Sequence, residues 1–309
     1  MNVDAVLLIA FGGPTKPDEI RPFLQNVARG RRIPPERLED VAHHYEQMPG
    51  GRSPLNDLTF MQARSLAAML AGVNLKLPVF VGMRSWKPYL HETLATMGER
   101  GVQKAFGIIL SALRTEASWE RYMNDVGEAR ARTPGAPSVA FAPPFFDHPL
   151  FVEAVADRAG AALARVPAAE RASTPLVFTA HSVPTAMANG SPYVDDFRAA
   201  SAAVAKRLHH GPWRLAYQSR SGNPRDPWLE PDVNDALKDL GSSGAHHVVI
   251  VPIGFVCDHV EVLYDLDVEA VTTARAAGLT LHRATAVNDH PRFIAVLADL
   301  VQHHLEAAR

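Results

Sequence analysis

The chain is short of several things at once, and each shortage narrows what it can be. One cysteine, Cys257, among 309 residues excludes an intramolecular disulfide framework, a cysteine-rich zinc site and a Cys-ligated iron–sulfur cluster. The net charge is only -2, with 31 Lys+Arg against 33 Asp+Glu. No basic excess therefore points to nucleic acid, although a small basic groove fits inside a neutral sum. The first apolar run is Ala5–Phe11, preceded by Asp4 rather than by basic residues, which makes a poor secretory signal. No uninterrupted apolar stretch approaches the roughly 18 residues that span a bilayer. The expectation is a cytoplasmic protein that binds no nucleic acid. Walker A, G-x-G-x-x-G and G-x-S-x-G patterns are also missing, and Gly12-Gly13 is too short to cradle a phosphate. A nicotinamide dehydrogenase and an α/β-hydrolase are both disfavoured.

What is present is an ordinary globular composition, 47% hydrophobic and 21% charged, at a length that suits two domains. Short apolar runs read as strands at Val6–Phe11, Pro78–Met83, Ala105–Ala112, Ser138–Pro143, Pro175–Ala180, Trp213–Gln218, His247–Phe255 and Thr280–Ala286. Most are continuously apolar, as strands of a parallel sheet buried on both faces must be. Amphipathic stretches such as Asp57–Leu70, Phe151–Arg165 and Pro192–Leu208 lie between them. The alternation argues for doubly wound α/β domains.

The halves also echo each other. LIAFGGPT (8–15) resembles VFTAHSVPT (177–185), VFVGMRSWKP (79–88) resembles LAYQSRSGNP (215–224), and AFGIILSAL (105–113) resembles VVIVPIGFV (248–256). The division expected is 1–145 and 146–309, with a proline-rich crossover at Pro134, Pro137, Pro143 and Pro144. The helical stretch Pro291–Ala308 is free to return to either domain.

Ligands of such sheets sit at the carboxyl ends of the strands, so the polar residues there carry the functional reading. His181, in Thr-Ala-His-Ser-Val-Pro, follows a strand directly; it reads as a general base or metal ligand, or as a hydrogen-bonded turn histidine. After the strongest strand comes GFVCDHVEVLYDLDVE (254–269). A helix capped by Asp258 places Glu261, Asp265 and Glu269 at i, i+4 and i+8. Like charges stacked so closely repel, and a bound cation relieves that; the alternative is a solvated acidic face. A loop with Pro224, Pro227, Trp228 and Pro231 offers a flat ring, or a plug for the core. In the first half Gln25–Arg32, His44-Tyr45 and Gly50-Gly-Arg-Ser53 bring cationic and hydroxyl groups into one long connection, suited to bidentate binding of carboxylates or to a surface loop.

Taken together, LIAFGGP, GGRSPL, TAHSVP, YQSRSGNPRDPWLEPDV and GFVCDHVEVLYDLDVE resemble the ferrochelatases in order and spacing over nearly the whole chain. The resemblance implies a lyase that inserts Fe2+ into a porphyrin in haem synthesis. It also implies two similar Rossmann-like domains with flanked parallel sheets, a class II chelatase-like architecture with a porphyrin cleft between them. It assigns His181 and Glu261 as catalytic residues, and His181, Glu261, Asp265 and Glu269 as metal-handling ones. Porphyrin contacts carry over onto Phe11, Arg29, His44, Tyr45, Ser53 and Tyr122.

Departures are Phe11, where many coproporphyrin-using relatives have tyrosine, Ala28, where some have a second arginine, and the segment Leu113–Tyr122. No tightly bound cofactor is expected. Fe2+ is a substrate, and an accessory divalent cation is expected at Asp265 and Glu269. A monomer is the default, with weak membrane association left open. The competing readings are a cobalt or nickel chelatase of the same fold and a non-catalytic porphyrin or haem carrier.

Overall fold

The computed structural model describes residues 3–30, 34–221 and 226–307. The chain forms two compact units, Met1–Ser111 with Glu116–Pro144 and Asp289–Arg309, and Ala112–Thr115 with Phe145–Asn288. Along the first half run β1 (Ala5–Ala10), α1 (Ile20–Ala28), α2 (Pro35–Glu46), α3 (Leu55–Gly72), β2 (Val79–Met83), α4 (Leu90–Glu99), β3 (Lys104–Ile109), α5 (Arg121–Ala131) and β4 (Ser138–Phe141). The second half begins with α6 (Pro149–Leu163), β5 (Leu176–His181), α7 (Thr185–Asn189), α8 (Tyr193–Arg207) and β6 (Trp213–Gln218). It continues with α9 (Val233–Ser242), β7 (His247–Val251), α10 (Val260–Tyr264), α11 (Ala270–Ala276), β8 (Thr280–Arg283) and α12 (Pro291–Glu306).

Each unit holds a four-stranded sheet, ordered β2-β1-β3-β4 in one and β6-β5-β7-β8 in the other. Every pair in both sheets is parallel. All eight expected strands form, because the apolar runs are buried as such sheets require: β1 is buried throughout and β5 everywhere but at His181. The run His247–Phe255 ends as a strand at Val251, where Pro252 has no N–H to give to the ladder.

The repeat read from the sequence is visible as identical topology, with one adjustment. Ala10 pairs with Met83 and Ala180 with Tyr217. The counterpart of Met83 is therefore Tyr217, two residues from the Ser219 that the sequence match suggests. The β1/β5 and β3/β7 matches need no shift, so Phe11 and His181 occupy equivalent strand ends.

The helix after the last strand of each half belongs to the other unit. Helices α6 and α12 begin alike, at Asp147-His-Pro-Leu-Phe151 and Asp289-His-Pro-Arg-Phe293. In each the histidine Nδ1 caps the helix, accepting from Leu150 N at 3.2 Å and from Arg292 N at 3.2 Å. Proline at the first helical position costs nothing, since that N–H has no partner within the helix. Yet α6 lies against α8 and β7 in the second unit, and α12 lies against α3 in the first. The chain thus departs from a plain division at 145: Asp289–Arg309 groups with the first unit.

A close approach positions the carboxyl end of β5. Gly254 N donates to Thr179 O at 3.0 Å, and a Cβ on Gly254 would lie 2.6 Å from Ala180 Cα. Gly254→Ala is expected to displace the residue next to His181 and to cost about 1–3 kcal/mol, as overpacking does. Urea denaturation checks it; an unchanged midpoint would show that the strand end gives way freely.

Candidate active site

In the second unit the sheet register does the placing. His181 and Gln218 are paired residues at the carboxyl ends of β5 and β6. The Gln218 side chain, 1% exposed, donates from Nε2 to the backbone oxygen of Glu261 at 3.3 Å and to Asp265 Oδ2 at 3.4 Å. Ser219 Oγ donates to the same carboxylate oxygen. The histidine strand and the acidic helix are therefore tied through one buried amide. Its Oε1, like the Oγ1 of Thr179 on β5, is buried with no protein partner among the described residues.

His181 is half-buried, with Tyr193 O–H donating to its backbone oxygen at 2.8 Å. Its Nδ1 lies against the carbonyl oxygen of Ser182. A carbonyl only accepts, so Nδ1 carries the proton and Nε2 keeps its lone pair for a proton or a metal. The Trp228 loop folds back on this turn. Leu229 N donates to Val183 O at 3.0 Å, Thr185 N to Pro227 O at 2.9 Å, and Ser182 Oγ to Leu229 O at 3.0 Å. Pro224, expected to stiffen the same loop, lies outside the described residues.

The acidic helix starts one residue later than its sequence suggests. Asp258 is not the cap. Its carboxylate accepts from Arg283 Nη1 at 2.8 Å, Ala286 N at 3.1 Å and Asn288 Nδ2 at 2.8 Å, bracing the turn after β7. His259 caps instead, its Nδ1 accepting from Glu261 N at 3.3 Å. Burial holds the His259 imidazole below its usual pKa, with His181 pulling the same way and Glu261 opposing. It is thus neutral, with its proton on Nε2.

From Asp265 to Glu269 the helix widens to a π-helix, a form common at functional sites. Glu261 is 45% exposed, Asp265 is largely buried and Glu269 exposed. Burial, with Glu261 and Glu269 adding, pushes the Asp265 pKa up to about 7 against the Ser219 and Gln218 hydrogen bonds. The three carboxylates therefore do interact, as their spacing predicts. Among the described residues no three His, Cys, Asp or Glu side chains are placed to hold a metal ion together. His181, Glu261, Asp265 and Glu269 thus do not form a closed cage. Cys257 is buried, and burial pushes its thiol far above the usual range.

The first unit carries a pocket of about 680 Å³ at the end of β1. Phe11 and Arg29 line it, as do Arg84, Arg121 and Arg132. Arg84, 15% exposed, is paired with Asp125, and its Cζ lies 5.2 Å from the Tyr122 ring centroid and 6.0 Å from that of Phe11. Two rings expected to meet substrate thus flank one half-buried guanidinium.

The other expected contacts have structural neighbours of their own. Tyr45 is buried against Phe23, ring centroids 5.8 Å apart, and Phe23 meets Phe11 at 6.2 Å. Ser53 is 3% exposed, its Oγ accepting from Leu55 N at 3.3 Å at the start of α3. His44 on α2 is half-buried, and burial beside Arg37 lowers its pKa. Arg31 and Arg32 lie outside the described residues. No sequence motif marks Gln218, Tyr193, Arg84 or Arg132 for a role, and the role of His259 as a cap emerges only from the structure.

The imidazole at the end of β5 and the carboxylates of the helix after β7 are thus linked through Gln218. The solved structures most like this fold include SirB from Bacillus subtilis with Fe3+, with a TM-score of 0.58 at 11% identity over 96% of this chain and 94% of that one. Another is DR2241 from Deinococcus radiodurans, described as similar to chelatases, with a TM-score of 0.57 at 14% identity over 96% of this chain and 55% of that one. The ferrochelatase family profile matches residues 3–305. Among curated relatives, the coproporphyrin III ferrochelatase of Mycobacterium avium is 45% identical over 97% of this chain and 88% of its own length. That of Frankia alni is 45% identical over 97% of this chain and 79% of its own. The chain belongs to the ferrochelatase family.

Asp265 gives a pH test in the metal-free protein. Its folded pKa, about 7, stands above the ordinary 3.8, so the folded state holds a proton that the unfolded state has released. That contribution is complete below the ordinary value and is lost as pH rises through the folded one. Asp265→Asn is expected to gain melting temperature relative to wild type as pH rises from the ordinary 3.8 to the folded value of about 7. A difference that stays flat across that range would show that the carboxyl is not held protonated.

Proposed function

We propose that, within the family's activity of inserting Fe2+ into a porphyrin for haem biosynthesis, this chain acts on coproporphyrin III. The observation that carries the choice is the pocket of the first unit, walled by Arg29, Arg84, Arg121 and Arg132. With Asp125 and Glu128 as its acids the pocket is net positive, and guanidinium groups bind carboxylates bidentately, so a macrocycle richer in carboxylates is favoured there. The 45% identity to relatives named coproporphyrin III ferrochelatases supports the same reading.

Insertion exchanges one Fe2+ for the two pyrrole N–H protons, so the ring and its metal keep the charge of the free base. His181 Nε2 is the base in this reading, since its lone pair is free and imidazole basicity suits neutral pH. Glu261 takes the second proton or passes the cation. Asp265 and Glu269 attract Fe2+, or an accessory divalent cation, along the ridge. Carboxylate and imidazole both suit Fe2+. Gripping the macrocycle out of plane would expose its nitrogen lone pairs at a cost of a few kcal/mol.

Anaerobic absorbance tests both levels of the proposal. Coproporphyrin III with Fe2+ should turn over catalytically, with kcat/KM at least about tenfold above that for protoporphyrin IX, equivalent to about 1.4 kcal/mol. Equal values would overturn the substrate choice. Stoichiometric spectral shifts without turnover would mark a carrier. His181→Ala is expected to abolish metallation while free-base porphyrin still binds; normal turnover would remove His181 from the mechanism. Asp265→Ala is expected to raise the iron concentration needed more than it lowers the saturated rate. An unchanged iron dependence would reduce the ridge to a solvated face.

A further inference from the structure

The four arginines of the first-unit pocket differ in what they already hold. Arg84 is paired with Asp125, and Arg121 Nη2 donates to Glu116 at 3.0 and 3.2 Å. Their charge is spent within the protein. Arg132, the residue that ends α5, is exposed. Its Nε donates to the backbone oxygen of Glu128 at 3.3 Å, which steadies the side chain without neutralising it. No carboxylate is paired with Arg132 or with Arg29 among the described residues. With Asp125 and Glu128 as the acids of the pocket, four cations face two anions and the walls are net positive. Arg29 ends α1 as Arg132 ends α5, so the two unspent guanidiniums enter the same pocket from different helices.

We infer that Arg132, acting with Arg29, is a specificity-determining residue that binds a carboxylate side chain of the porphyrin. This rests on the function proposed above and deepens it: it names the residue through which a carboxylate-rich macrocycle is preferred. An unpaired guanidinium beside a partly enclosed pocket gains a charge-assisted, bidentate partner when such an anion enters. Arg84 then acts as part of the wall, since a second carboxylate would have to compete with Asp125 for it.

Equilibrium binding of metal-free porphyrins, followed by porphyrin fluorescence, tests the inference without requiring turnover. Arg132→Gln is expected to weaken coproporphyrin III about tenfold, within the range of hydrogen bonds to charged groups. It should leave the tetramethyl ester of coproporphyrin III, whose carboxylates are masked, bound as by wild type. Arg132→Lys should recover part of the loss, because it keeps the charge but not the fork. Arg64→Gln, exposed on α3 outside the pocket, should change nothing.

Wild-type affinity of Arg132→Gln for coproporphyrin III would overturn the inference. So would an equal loss for acid and ester, or an equal loss in Arg64→Gln. If wild type binds neither porphyrin, the proposed function fails and takes this inference with it. If wild type binds and turns over normally while Arg132→Gln is silent, only the role of Arg132 falls.

Discussion

Everything chemical in the second unit depends on the pairing of β5 with β6. Parallel register sets His181 opposite Gln218, and the glutamine amide reaches the acidic helix that follows β7, the other neighbour of β5. A slip of one residue would turn every side chain of β5 to the opposite face and separate the imidazole from the carboxylates. The register is secured by burial, since Val177, Phe178 and Ala180 on one strand and Ala216 and Tyr217 on the other are core residues. Fold stability and site geometry are thus one requirement.

The same topology, used twice, yields two different strand ends. In both sheets the central strand is the point where the order reverses, the position at which open α/β sheets bind ligands. One such end carries Phe11 and opens on guanidinium groups. Its counterpart carries His181 and lies beside carboxylates. The duplicated frame therefore gives its two equivalent strand ends surroundings of opposite charge.

Strands and motifs were legible because burial on both faces leaves an unmistakable apolar signature, and because His181 and Glu261 stand in long, specific motifs. The acidic spacing was legible too, since residues four apart share a helix face whether the turn is α or slightly wider. The cap was misplaced because Asp258 satisfies the rule for cap residues while its carboxylate is claimed by Arg283 and Asn288 from elsewhere in the unit. Gln218 and Tyr193 act through hydrogen bonds to residues distant in sequence, which no local pattern announces. Arg132 is one of many surface arginines, and only the pocket distinguishes it. Ser53 and Tyr45 were readable as important positions, but their buried contacts within the first unit emerge only with coordinates.

The placement of α12 has a consequence for how this chain can be divided. A cut at the proline-rich crossover leaves α6 with its own unit but strands α12, which packs on α3 of the first unit, on the other fragment. The amino-terminal fragment would lack a helix of its unit, and the carboxy-terminal one would display that helix without its partner. A half of the polypeptide is thus not the same thing as a unit, and restoring the first unit after such a cut would demand complementation between fragments.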